Sequence, residues 1–167
     1  MPVTVEILDK GLSLVRIEKN QKLFGDKDLV IKDVAGELKN LSFVRFDMGN
    51  QKDEPSVVHF KNNKPVNVLV GYFATDNKDF MRAPSLETNA HANDRGQAEI
   101  KIANAMDVQD LPPVNICTYN FEPGENVLEL DRGIGLVLGF TDAAQKIMPR
   151  DAGFGIAQKD GVDWLFY

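Results

Sequence analysis

The densest run of chemically capable side chains lies between Asp79 and Ile100, "DFMRAPSLETNAHANDRGQAEI". Arg82, Glu87, Asn89, His91, Asp94 and Arg95 crowd together there, and Phe80 stands just ahead of them. These are the types that sugar recognition needs. Planar donors and acceptors bond paired hydroxyls, and a flat aromatic covers the apolar face of a pyranose ring. In such a site Arg82 and Arg95 donate, Glu87, Asn89 and Asp94 accept, His91 adds a polar ring, and Phe80 stacks. The same run admits a catalytic alternative, a glycan hydrolase in which His91 works with Glu87 or Asp94 as an acid–base pair. That alternative needs His91 in a cleft, within hydrogen-bond reach of a carboxylate.

Other chemistries find little support. The chain has two histidines and one cysteine, so a zinc set built on Cys and His is excluded. There is no Gly-x-Ser-x-Gly elbow and no phosphate loop of the Gly-x-x-x-x-Gly-Lys type. Gly133, Gly135 and Gly139 fall within a strand–turn–strand pattern, with no helix start to receive a pyrophosphate. His59, in "SVVHF", reads as a partly buried packing histidine in a strand. Cys117, in an apolar run, reads as a small buried hydrophobe. Trp164 in "DWLFY", Tyr72 and Tyr119 read as packing aromatics. No catalytic or metal-ligating residue is assigned, and the chain reads as a binding domain more than as an enzyme. No cofactor is expected. A structural calcium ion is the one metal the composition admits, at Asp26, Asp28, Asp33 and Glu37, although the ordered spacing of a calcium loop is missing.

Charge narrows the partners. A net charge of −6 without a Lys/Arg cluster argues against nucleic acid and anionic lipid. No apolar run approaches the roughly 18 residues that span a bilayer. The start, "MPVTVEILDK", lacks the basic and apolar regions of a signal peptide. The expected location is cytoplasmic if the chain is complete, and periplasmic or secreted if it is an excised module.

The elements that must hold the polar run are strands. Val5 and Ile7 alternate with Thr4 and Glu6. In "LSFVRFDM", Leu41 and Phe43 take one face and Val44 and Phe46 the other. "SVVHF", "KNNK" and "PVNVLVGYF" read as a hairpin, with Val66, Val68, Val70 and Tyr72 on one face of its second arm. "VNICTYNF" is a strand, and "EPGEN" is a turn. Ile134, Leu136, Leu138 and Phe140 form a period-two set. Helical signal is thin: "DVAGELKNL" allows one turn, and "TDAAQKIM" allows two, capped by Thr141 or Asp142. About ten short strands with frequent turn signals predict an all-β antiparallel sandwich, a single domain over residues 1–167. Residues 151–167 read as an added edge strand.

Longer phrases then resemble a known family. "KLFGDKDLVIKDVAGELKNLSFVRF", followed by "VVHFKNNKPVNVLVGYF", resembles the galactose-binding-like and carbohydrate-binding-module sandwiches of polysaccharide-degrading enzymes. The likeness rests on Phe24, Asp26, Lys27 and Asp28, on Leu38, Leu41, Phe43, Val44 and Arg45, and on Val66, Val68, Val70 and Tyr72. "YNFEPGENVLELDRGIGLVLGF" is similar to the closing strands of such modules, so the likeness spans about Leu23 to Phe140. It implies a jelly-roll sandwich and a non-catalytic accessory role in polysaccharide degradation, with carbohydrate as ligand and an adjoining catalytic domain as partner. A purely structural or interaction domain, packing on that catalytic partner, is the alternative of a different class.

Overall fold

The computed structural model describes residues 4–75, 78–81, 100–130, 132–145 and 150–153. Among them are eleven strands, one short α-helix and one 3-10 turn, and the strands fall into two sheets. The chain moves repeatedly between these sheets. β1 (Val5–Ile7) opens the smaller one, and β2 (Ser13–Arg16), β3 (Ile31–Val34) and β4 (Ser42–Arg45) belong to the larger. After α1 (Met48–Asp53), β5 (Ser56–Asn62) returns to the smaller sheet. β6 (Val66–Phe73), β7 (Ile100–Val108) and β8 (Val114–Phe121) build the centre of the larger. β9 (Gly124–Leu130) crosses back, and β10 (Gly135–Asp142) and β11 (Arg150–Asp151) finish in the larger sheet. The smaller sheet has the order β1-β5-β9; the larger runs β11-β7-β8-β6-β10-β4-β2, with β3 also on β7. All pairings are antiparallel except β11 with β7. The architecture is therefore the expected all-β sandwich.

Alternation explains why the larger sheet is buried on both faces. Val66, Val68, Val70 and Tyr72 of β6 face the smaller sheet, with Val44, Tyr119 and Val137 beside them and Val58, Phe60 and Leu128 opposite. Leu69 and Phe73 point the other way, into a second core roofed by Ile17, Leu23, Phe24, Ala35 and Leu38. The long connection from β2 to β4, apart from β3, thus covers this face of the larger sheet. Its one helical turn, Gly36–Leu38, buries Leu38, as the sequence suggests. Leu41 and Phe43 join this outer core, and Val44 and Phe46 join the inner one.

Three expectations are corrected. β5 and β6 do not form a hairpin, because β5 pairs with β1 and β9 while β6 pairs with β8 and β10. Alternating apolar residues suit a hairpin and a sheet-to-sheet arch equally. The arch lets Val58 and Phe60 face Val66 and Val68 across one core, which a flat hairpin cannot do. Asn62, only 3% exposed, secures the crossing. Its Nδ2 donates to Lys64 O (2.8 Å) and Glu122 O (3.1 Å), and its Oδ1 accepts from Asn126 Nδ2 (2.8 Å).

The second correction concerns β10. Ile134, Leu136 and Leu138 lie in the outer core, but Phe140 packs into the inner one. A bulge between Val137 and Gly139 breaks the register against β6 and turns Phe140 to the opposite face. Gly139 has φ +143°, and a Cβ there would meet Leu41 Cδ1 at 2.9 Å. The third concerns "TDAAQKIM". Thr141 and Asp142 continue β10, and Asp142 Oδ1 accepts from Ala144 N (2.9 Å) to close a turn rather than cap a helix. Residues 146–149 and the "DWLFY" aromatics lie outside the described residues.

Candidate functional site

Several strands meet at one end of the sandwich. β4 runs into α1 there, β5 starts from it, β9 ends, and β10 begins. The first residues of the polar run, Asp79 to Met81, are held at this end. Ile134 N donates to Asp79 O (2.9 Å), and Met81 N donates to Ile134 O (3.1 Å). Gly133 makes this contact feasible: with φ +123°, a Cβ at that position would lie 2.5 Å from Met81 N. Phe80 is half-buried, with its ring edge-on to Phe73 at 5.2 Å and 72°, so part of its surface is already engaged by the core. Arg82, Glu87, Asn89, His91, Asp94 and Arg95 lie outside the described residues.

The other singled-out residues separate clearly. Tyr72 and Tyr119 are buried between the sheets, and Cys117 is fully buried with its thiol pushed up to about 12 by desolvation. His59 is not a packing histidine. Its side chain is 51% exposed on the outer face of the smaller sheet. Asp9 holds both its ring and its backbone, with Nδ1 at 2.8 Å from Oδ1 and His59 N donating to Oδ2 at 2.6 Å. The four acids considered for calcium take separate partners. Asp26 accepts from Met48 N and Gly49 N, Asp28 pairs with Lys22, Asp33 with Lys19, and Glu37 with Arg150. Among the described residues, no group of three His, Cys, Asp or Glu is placed to hold a metal ion.

A cavity of about 380 Å³ opens at the same end, between the β1–β2 turn, the end of β4, and α1. Its polar lining includes Lys10, Arg45, Asp47, Asn50, Gln51 and Glu54. Asp26 builds its helical wall by accepting from Met48 N at 2.8 Å and Gly49 N at 3.0 Å, which satisfies donors that Asp47, at the N-cap position, leaves open. Gln51 joins this wall to the strands. Its Nε2 donates to Ser56 Oγ and Gly135 O, both at 2.9 Å, and its backbone carbonyl accepts from Gly133 N at 2.7 Å. Gln51 thus links the cavity wall to residues 133–135, and Ile134 in turn holds Asp79 and Met81. Sequence reasoning did not find this cavity. The signal that could have found it is the loss of alternation after Phe46, where "DMGNQKDEP" offers a cap residue and then a Pro stop.

No family model matches the chain, and no curated protein matches it. Solved structures do. A GH138 enzyme targeting pectin rhamnogalacturonan II is 38% identical with a TM-score of 0.81, and the match covers 100% of this chain. The chain is similar to one part of a glycoside hydrolase. It spans only 18% of that enzyme's length. A beta-glucuronidase from glycoside hydrolase family 2 superposes with a TM-score of 0.54 at 12% identity, over 83% of this chain and 14% of that one. At that identity the likeness concerns the fold alone.

Proposed function

We propose that this chain is a non-catalytic, galactose-binding-like accessory domain that binds carbohydrate for a larger glycan-degrading enzyme. One observation carries the reading: the whole chain matches, at 38% identity, a stretch making up 18% of a GH138 enzyme that targets pectin. The ligand surface is the end of the sandwich that holds residues 79–81. Arg82 and Arg95 donate, Glu87, Asn89, His91 and Asp94 complete the polar contacts, and Phe80 offers the free part of its ring. Each net hydrogen bond contributes about 0.5–1.5 kcal/mol, so a few of them give roughly micromolar to millimolar binding.

A second reading has its own support. Leu8 and Val127 are 40% and 53% exposed on the outer face of the smaller sheet, flanking His59. A domain that packs against a catalytic partner would use such a face. Affinity electrophoresis on a polysaccharide panel including rhamnogalacturonan II separates the two. Retardation lost in Arg95→Ala and Glu87→Ala supports the binding domain. Absence of retardation with every polysaccharide refutes it and leaves the docking role, whereas released sugar would point to the hydrolase.

A further inference from the structure

We infer that the free edge of β9 is a docking edge for an extended peptide segment of a partner protein, one that carries Lys or Arg on either side of an aliphatic residue. The inference is independent of whether the chain binds carbohydrate. Among the described residues, β9 ends the smaller sheet and pairs with β5 alone. The direction of its main-chain groups follows from one bond on the far side of β5. Leu8 N donates to His59 O at 2.8 Å, so the main-chain groups of His59 face β1. Those of Val58 and Phe60 then face β9, where Leu128 and Asn126 stand in register with them. The N–H and C=O groups of Glu125, Val127 and Glu129 therefore point the other way, out of the sheet.

A row of main-chain donors and acceptors of this kind is a template for another strand. Edge strands are usually blunted by a bulge, a Pro or a Lys, and β9 has none of these. Its register against β5 runs unbroken from Gly124 to Leu130. The strand is also fixed from behind. Leu128 and Leu130 are buried in the inner core, and Asn126 Nδ2 donates to Asn62 Oδ1 and Glu122 O, both at 2.8 Å.

The side chains select the segment that fits. Glu125, Val127 and Glu129 are exposed together on the outer face. Within the sheet Glu125 stands opposite Lys61 and Glu129 opposite Val57. A second copy of this chain is a poor occupant. Two-fold pairing of β9 with itself about Val127 would set Glu125 against Glu129 of the other copy, and like charges directly opposite destabilise a strand pair. An antiparallel strand with a cation opposite each glutamate and an aliphatic residue opposite Val127 gains two charge pairs and one apolar contact. Main-chain bonds then supply affinity, and the alternating side chains supply choice.

The test is amide exchange and NMR titration of the full chain. The probe is the peptide acetyl-Thr-Lys-Thr-Val-Thr-Lys-Thr-amide, and its control has Glu in place of both Lys. In the free chain the amides of Glu125, Val127 and Glu129 should exchange fast, while those of Asn126 and Leu128 stay protected. The Lys peptide should shift the three fast amides saturably and slow their exchange; the Glu peptide should not. Glu125→Lys combined with Glu129→Lys changes exposed side chains and should keep the fold. It should weaken the Lys peptide by about tenfold and admit the Glu peptide. Val127→Pro removes the central donor where edge strands accept proline, and should abolish binding. Slow exchange at all of these amides in the free monomer would mean that the chain's own residues occupy the edge, and would overturn the inference. So would a dimer in sedimentation that protects them, silence with the Lys peptide, or equal binding of both peptides.

Discussion

Asp26 is an exposed carboxylate that organises a helix distant in sequence. Desolvation pushes its pKa up, but the N–H groups of Gly49 and Met48 outweigh that and hold it below the usual aspartate range. A pKa lowered by folding gives stability that is complete above the ordinary aspartate range and is lost as pH falls through the folded value. Asp26→Ala should therefore destabilise the protein by roughly 0.5–2 kcal/mol at neutral pH, as other lost helix caps do. Urea midpoints of the two proteins should converge in acid; a constant gap would show that the carboxylate charge is irrelevant. Cys117 is the opposite case. Burial raises its thiol to about 12, and its Sγ lies 3.6 Å from Val70 O. Ellman's reagent at mildly alkaline pH should label it only as the protein unfolds, and prompt labelling of native protein would contradict this placement. The buried character of Cys117 was legible because its neighbours Ile116 and Tyr119 are apolar. The exposure of His59 was not, because a strand's two faces look alike until its partners are known.

At the scale of elements, β10 shows how far alternation reaches. Its period-two pattern identifies a strand, and Ile134, Leu136 and Leu138 do share a face. The bulge at Gly139 then sends Phe140 to the other core, 5.2 Å from Phe60. Gly139→Ala combines a positive φ with a contact on Leu41, so it should cost about 1–3 kcal/mol in thermal or urea unfolding. A neutral substitution would mean that the bulge can relax. α1 escapes sequence reading for a related reason. Six residues are too few for a helical period to emerge, and what stabilises the helix is Asp26, more than twenty positions upstream.

For the molecule as a whole, the larger sheet couples everything. It forms one wall of both cores, so neither core can open alone without exposing the other side's support. We expect one cooperative unfolding transition for the chain as a single domain. Phe60 is fully buried and meets the Phe121 ring at 5.1 Å, linking the two sheets. Phe60→Ala should lower stability by roughly 3–5 kcal/mol while keeping that single transition in calorimetry. Two separated transitions would show that the outer core folds independently.

The sequence by itself determined that this chain is built of strands and, wherever no bulge intervenes, which residues share a face, because side-chain direction along an unbroken strand follows from position alone. It also marked the polar run from Asp79 to Ile100 as the place richest in sugar-compatible groups. Only the tertiary structure decided which strands pair, that β5 and β6 arch between sheets, and that Arg45, Asn50, Gln51 and Glu54 gather around one cavity. Pairing and cavities depend on residues brought together from far apart in the chain. A local pattern carries no record of that distance.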